Sequence, residues 1–229
     1  MIRQWRYAQT SEQIKPELIN SPILKGLLGN YDAYDAGDGE IVFFDVYQNF
    51  FFQVIDSSYS SAWGVSSELF TDADGEIDEN YFNYLGSVEM PILRVLYVTK
   101  HRRNAGRFGR IMKDLTSLSD ETGQSIGLFC DSFKISGYGR ELTAYEAYEK
   151  FKDYGYEKTD DWIKDVYELR KKYMSYGFQN LFYDKAQVTE GYQHFVYISE
   201  NAPADERKLL NAMKVNYCFK RFDLPAEAD

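Results

Sequence analysis

The sequence predicts an α/β protein, and three observations carry that prediction. First, an apolar strand, Ile92–Thr99, runs into a basic, glycine-containing loop, Lys100–Gly109, and then into an amphipathic helix from Arg110. A second apolar strand, Ser125–Cys130, follows at once. Strand, helix and strand in so short a span imply a parallel pair joined by a crossover helix. Second, Ile41–Ile55 is densely aromatic and β-branched, as strands are. Third, a helical pattern over Asp160–Lys172 is followed by two more strand-like runs, Gln179–Tyr183 and His194–Ser199. At 229 residues and 44% hydrophobic the chain is long enough for one good core, and two full domains would be tight.

Taken in order, Ile2–Ala8 reads as a first strand, and Ser11–Leu28 as one or two helices with Ser11 as a cap and Pro16 near a first turn. Asn30–Glu40 is Gly/Asp-rich and reads as a polar loop. Ile41–Ile55 reads as a hairpin turning at Gln48-Asn49, or as one long bent strand. Asp72–Asn80 is an acidic turn around Asp74-Gly75 that echoes a calcium loop. Phe70 and Tyr81 stand where that loop needs an acid and a closing glutamate, so a surface turn is the better reading. In the crossover helix Ile111, Leu115 and Leu118 have i, i+4, i+7 spacing, and Gly123 is placed to end it. Glu141–Lys152 is helical. In the tail, Pro203 lies near a helix start, with Leu209, Leu210 and Met213 on one side.

The chemistry concentrates in the basic loop. It opens a helix, where free backbone N–H groups and the helix dipole favour an anion. Arg102, Arg103, Arg107 and Arg110 reinforce this on a chain whose formal charge is -10. A cationic loop on an acidic protein points to a phosphate-bearing ligand. Gly106 is the key position, since a bare backbone allows close phosphate approach.

This loop resembles the pyrophosphate loop of the GNAT superfamily of acyl-CoA N-acyltransferases, which places R-x-x-G-x-G or a close variant after its fourth strand. Arg103-Asn104-Ala105-Gly106 supplies R-x-x-G; Phe108 then occupies the second small-residue position, and Gly109 falls one residue late. Phe108 must therefore offer its backbone and turn its ring away. Tyr173-Met174-Ser175-Tyr176-Gly177-Phe178 resembles the family's Y-x-x-x-G-F, which closes its fourth helix ahead of two final strands. Phe151-Lys152-Asp153-Tyr154-Gly155-Tyr156 has the same shape one helix earlier, but carries Phe at the acid position and is followed by no convincing strand.

The resemblance implies a mixed central sheet flanked by helices over residues 1–200, with an insertion before the last core helix (Lys134–Thr159). Residues 201–229 are then a helical extension packed on the same domain, against the core or a partner subunit in a homodimer. It implies transfer of an acetyl group from acetyl-CoA to a primary amine on a small molecule or protein. Tyr173 is then the acid for the departing thiolate. Backbone N–H groups of Tyr97 or Val98 meet the acyl oxygen, and the pantetheine arm lies in the gap where two parallel strands splay apart. Arg103, Asn104, Ala105, Gly106, Arg107 and Phe108 hold the pyrophosphate, mainly through their backbone.

The amine must be neutral to react, so a base or a desolvating pocket is required. Glu89, Asp131 and His101 are the candidates, and none is singled out: Glu89 precedes the central strand, Asp131 ends the next one and His101 lies in the loop. The rival reading is a catalytically silent fold of this type that serves protein interaction, favoured by Phe108, the 17% aromatic content and the added tail; a third is an enzyme using another acyl donor. Net negative charge speaks against nonspecific nucleic-acid binding. No apolar run approaches the roughly 20 residues of a bilayer span, and no signal peptide is evident. The two distant cysteines, Cys130 and Cys218, form no disulfide framework, which fits the cytoplasm, and with two dispersed histidines they give no metal-site spacing.

Overall fold

A computed structural model describes residues 14, 19–45, 47, 49–56, 90–99, 106–135, 142–155, 157–180 and 193–216. The expected strand Ile2–Ala8, the acidic turn Asp72–Asn80, and Glu89, His101, Arg103, Asn104, Ala105 and Cys218 lie outside the described residues.

The fold is α/β, with a large, mostly antiparallel sheet flanked by helices. In chain order the elements are α1 (Pro22–Leu27), β1 (Asp32–Gly37), β2 (Glu40–Phe44), β3 (Phe50–Ile55), β4 (Ile92–Val98), α2 (Arg107–Thr122), β5 (Ile126–Cys130), β6 (Phe133–Lys134), α3 (Ala144–Tyr154), β7 (Glu157–Lys158), α4 (Trp162–Ser175), β8 (Gln179–Asn180), β9 (Gln193–Tyr197) and α5 (Ala204–Asn216). Seven strands form one sheet in the order β1-β2-β3-β4-β5-β9-β8, and β6 pairs with β7 separately. The expected βαβ unit is present, and β4–β5 is the parallel pair.

Alternation along the strands divides the core into two layers. Phe50, Phe52 and Val54 face one side with Ile41 and Phe43, where Ile23 of α1, Ile111 and Leu115 of α2 and Tyr173 of α4 cover them. Phe51 faces the other side with Val42 and Phe44, under Ala144 and Ala147 of α3. Phe43 stacks on Phe52 at 5.0 Å, and Tyr31 meets Phe52 edge-on at 5.2 Å. Each fully buried side chain of this size contributes about 1.5–3 kcal/mol of transfer free energy.

The 41–55 run is the hairpin that the pattern allowed. Its turn is held by Asp45, whose carboxylate accepts from the backbone N–H of Asn49 and Phe50 and from the Asn49 amide. Three expectations need correction. Asn30–Glu40 is not a loop throughout: Asp32–Gly37 is an edge strand, paired antiparallel to β2. Only Ala33 of β1 is buried, so its signal was drowned by polar residues, and tertiary pairing decides it. Within the described part of Ser11–Leu28 the helix covers only Pro22–Leu27; Ser21 caps it, accepting from Leu24 N–H. A short strand, β7, does follow the earlier aromatic-Gly motif, because Glu157 and Lys158 find partners in β6.

The α2 boundaries follow the sequence closely. Gly123 ends the helix in the left-handed conformation at φ 69°, and Ile111 and Leu115 are fully buried. The α3 helix starts at a reciprocal capping box, Thr143 with Glu146. In α5, Leu210 is buried and Glu206 accepts a hydrogen bond from Ser125 at 2.7 Å, which ties the start of this helix to β5.

Candidate functional site

The sheet is nearly two sheets. β4 pairs with β3 from Ile92 to Val98, and β5 pairs with β9 along its whole length. Between these halves the parallel ladder holds only Ile92↔Gly127 and Leu93↔Leu128. Beyond Leu93 the strands diverge toward their C-terminal ends, the end at which open parallel sheets take ligands.

Arg94 lies where the divergence begins. Against β3 the register runs Gln53↔Val95 and then Val54↔Leu93, so Arg94 is the extra residue of a β-bulge. The bulge shifts the phase of β4. Leu93 packs on the α2 side while Val95 packs under α3, although two residues of a regular strand share a face. Thr99 N–H donates to Asn49 C=O at 2.8 Å. By antiparallel alternation the main chain of Tyr97 then turns toward β3, and that of Val98 toward the gap.

On the α2 side of the gap, Gly106 precedes the helix in the left-handed conformation at φ 71°, and a Cβ there would meet no atom within 4 Å. Phe108 turns its ring into the core, 5.5 Å from Tyr173 and 5.9 Å from Tyr176, as a backbone-only role at the helix start demands. Gly109 has a packing purpose: a Cβ on it would lie 2.5 Å from the Tyr176 hydroxyl oxygen. Tyr173 is 4% exposed, walled by Phe108, Phe178 and Phe195. Burial raises its pKa far above the ordinary phenol value, with Cys130 nearby adding to the rise. It therefore stays protonated across the physiological range.

On the α3 side a cleft of about 640 Å³ opens over the same part of the sheet, lined by Gln53, Arg94, Asp131, Tyr148, Phe151 and Lys152, with Glu40 and Lys158 beside them. Asp131 accepts from the Trp162 indole N–H at 2.7 Å, and Lys158 sits over the Trp162 ring at 4.2 Å. Glu40 takes a hydrogen bond from the Gln53 amide and an ion pair from Arg94. Asp131 thus joins the cleft, whereas Tyr173, Gly106 and Phe108 stand on the opposite face.

Among the described residues, Gln53 Oε1, Thr99 Oγ1, Arg107 Nε and Gln179 Oε1 are buried polar atoms with no hydrogen-bond partner. Thr99 follows β4 and Arg107 is in the first turn of α2, the segments beside the gap, whereas Gln53 is on β3, across β4 from it, and lines the cleft. Sequence reasoning missed Gln53, Arg94, Glu40 and Trp162. Two carried a signal, being lone polar residues inside apolar strands, Phe50-Phe51-Phe52-Gln53 and Ile92-Leu93-Arg94-Val95. Among the described residues no cluster of His, Cys, Asp and Glu is placed to hold a metal, and no helix is long and apolar enough to cross a membrane.

No family model matches this chain, and no curated protein matches it significantly. A solved structure, the acetoin utilization protein from Exiguobacterium sibiricum, is similar over 78% of this chain and 70% of that one, at 13% identity and a TM-score of 0.34. So low a score carries no argument about activity.

Proposed function

We propose that this chain is a GNAT-type N-acyltransferase that moves an acetyl group from acetyl-CoA to a primary amine. The observation that carries the reading is the divergence of β4 and β5 after two residue pairs, beside a left-handed Gly106 that opens α2. Such a gap accommodates an extended thioester arm, and backbone groups at a helix start suit its phosphates. The inward turn of Phe108 supports the same reading, since it clears the helix start. In this scheme Val98 offers its backbone to the acyl oxygen. Tyr173, held protonated, supplies the departing thiolate with its proton. Asp131 lines the cleft from which the amine approaches, and serves as its base.

The test is calorimetric titration of acetyl-CoA into the wild-type chain and into Gly106→Trp, with thermal melts of both. Saturable binding to the wild type, lost in a variant that still folds, is the expected result. Absence of wild-type binding refutes the proposal. Tyr173→Phe then separates the catalytic reading from the silent-fold reading. Its ring stays packed among Phe108, Phe178 and Phe195, so acetyl-CoA affinity is retained while transfer slows by about 10²–10⁴-fold. The silent fold is favoured by one observation, the 4% exposure of Tyr173. It gains if the wild-type chain transfers acetyl to no amine and Tyr173→Phe leaves acetyl-CoA affinity unchanged.

A further inference from the structure

The cleft on the α3 side contains one buried polar group whose partner is missing. Gln53 is 3% exposed. Its Nε2 donates to Glu40, so the atom left over is Oε1, an acceptor with nothing to accept. A buried acceptor in this state costs about 1–3 kcal/mol, and a ligand bearing an N–H donor would relieve that cost. The neighbouring charges do not alter this preference, because Arg94 and Glu40 neutralise each other.

The rest of the lining carries both signs. Asp131 is acidic, and Gly155 stops α3 at the cleft, bringing the negative end of the helix dipole with it. Lys152, in the last turn of the same helix, sets an exposed ammonium on the same wall. Tyr148 and Phe151 line the same cleft and offer aromatic surface to the body of a ligand. A volume of about 640 Å³ is that of a small-molecule site, not a macromolecular groove.

We propose that this cleft binds a small zwitterion, a primary amine that also bears a carboxylate, with its ammonium at Gln53 and its carboxylate at Lys152. Only the ligand's role as acyl acceptor rests on the acyltransferase reading; its binding requires no CoA.

The experiment uses the full chain without CoA. Each of the twenty standard amino acids is added singly at millimolar concentration, melting temperature is followed, and any stabilising one is titrated by calorimetry. At least one is expected to bind saturably. Gln53→Leu should weaken it by roughly tenfold, while the ligand-free variant still unfolds cooperatively near the wild-type temperature, because removal of the orphaned acceptor offsets the lost hydrogen bond to Glu40. Lys152→Ala should weaken the amino acid but not its decarboxylated amine. Binding by none of the twenty, or equal binding by wild type and Gln53→Leu, overturns the proposal. Equal loss of acid and amine in Lys152→Ala, or loss of neither, overturns the carboxylate placement. Failure of the acyltransferase reading is distinguishable, because it appears as absent acetyl-CoA binding by a chain that still binds the amino acid.

Discussion

The two glycines that bracket α2 offer a controlled comparison. Gly106 and Gly123 share a left-handed backbone, with φ of 71° and 69°. Placing alanine in that conformation costs about 1–2 kcal/mol, and the stiffer unfolded chain returns about 0.4–1 kcal/mol. These terms are common to both sites. The surroundings are not. A Cβ at Gly106 meets nothing within 4 Å, whereas at Gly123 it lies 2.9 Å from the Asn201 carbonyl oxygen and 3.4 Å from its carbon. Asn201 cannot easily retreat: its amide donates to Asp120 C=O at 2.8 Å, its backbone N–H to Ser199 Oγ at 3.2 Å, and the next N–H to Ser199 C=O at 3.2 Å. The clash adds about 1–3 kcal/mol. Gly106→Ala should therefore cost about 1 kcal/mol and Gly123→Ala about 2–4 kcal/mol in urea unfolding, with unchanged m-values. Equal losses, or a larger loss at Gly106, would refute the reasoning.

Cys130 is fully buried, and burial, helped by Asp131 and opposed by Arg170, pushes its thiol up to about 12. In a Cys218→Ser background it should resist a thiol reagent at about pH 8 and react only on unfolding; rapid native labelling would contradict its burial. Tyr31, Tyr173 and Tyr197 all have pKa values raised primarily by burial. The native chain thus keeps phenol protons that the unfolded chain loses, so their contribution to stability is complete below about pH 10 and falls above it. Urea midpoints that hold steady through that pH would count against this. Arg94→Ala removes one surface ion pair, worth under about 1 kcal/mol. Deleting Arg94 should also be tolerated, because Leu93 and Val95 become successive residues of a regular strand and Val95–Val98 keep their partners and faces; loss of cooperative unfolding in the deletion variant would refute the bulge.

Much of the fold was legible where periodicity was strong. Ile111 and Leu115 marked the buried face of α2, and Gly123 its end. The order of α4, β8 and β9 could be read from Gly177 and the apolar runs after it. β1 was not legible, since a lone buried Ala33 among polar neighbours reads as loop. Of the candidate site, the sequence located Gly106, Asp131 and Tyr173 but not their separation onto two faces of the sheet. That separation depends on where β4 parts from β5, a long-range pairing that no local pattern encodes. Gln53 and Arg94 were visible as polar interruptions, yet their meaning required the register that sets them side by side.

That register makes one point of the sheet unlike the rest. The bulge falls at Arg94, next to the Gln53↔Val95 pair, and the parallel ladder ends at Leu93↔Leu128. A bulge, an orphaned acceptor and an interrupted ladder each cost stability by separate routes. A fold shaped by stability alone has no reason to gather them. Repairing one of them is chemically simple: Gln53→Leu removes the orphan, at the loss of the hydrogen bond to Glu40, without touching the phase of β4, and the Phe51 core beneath α3 would accept an apolar neighbour. The amino acid proposed for the cleft would give this glutamine the partner that packing does not supply. Irregularities that coincide, where sequence and local rules would favour regularity, mark functional positions. This coincidence, more than the individual motif residues, ties the open cleft of Asp131 to the helix start of Gly106 on the far face.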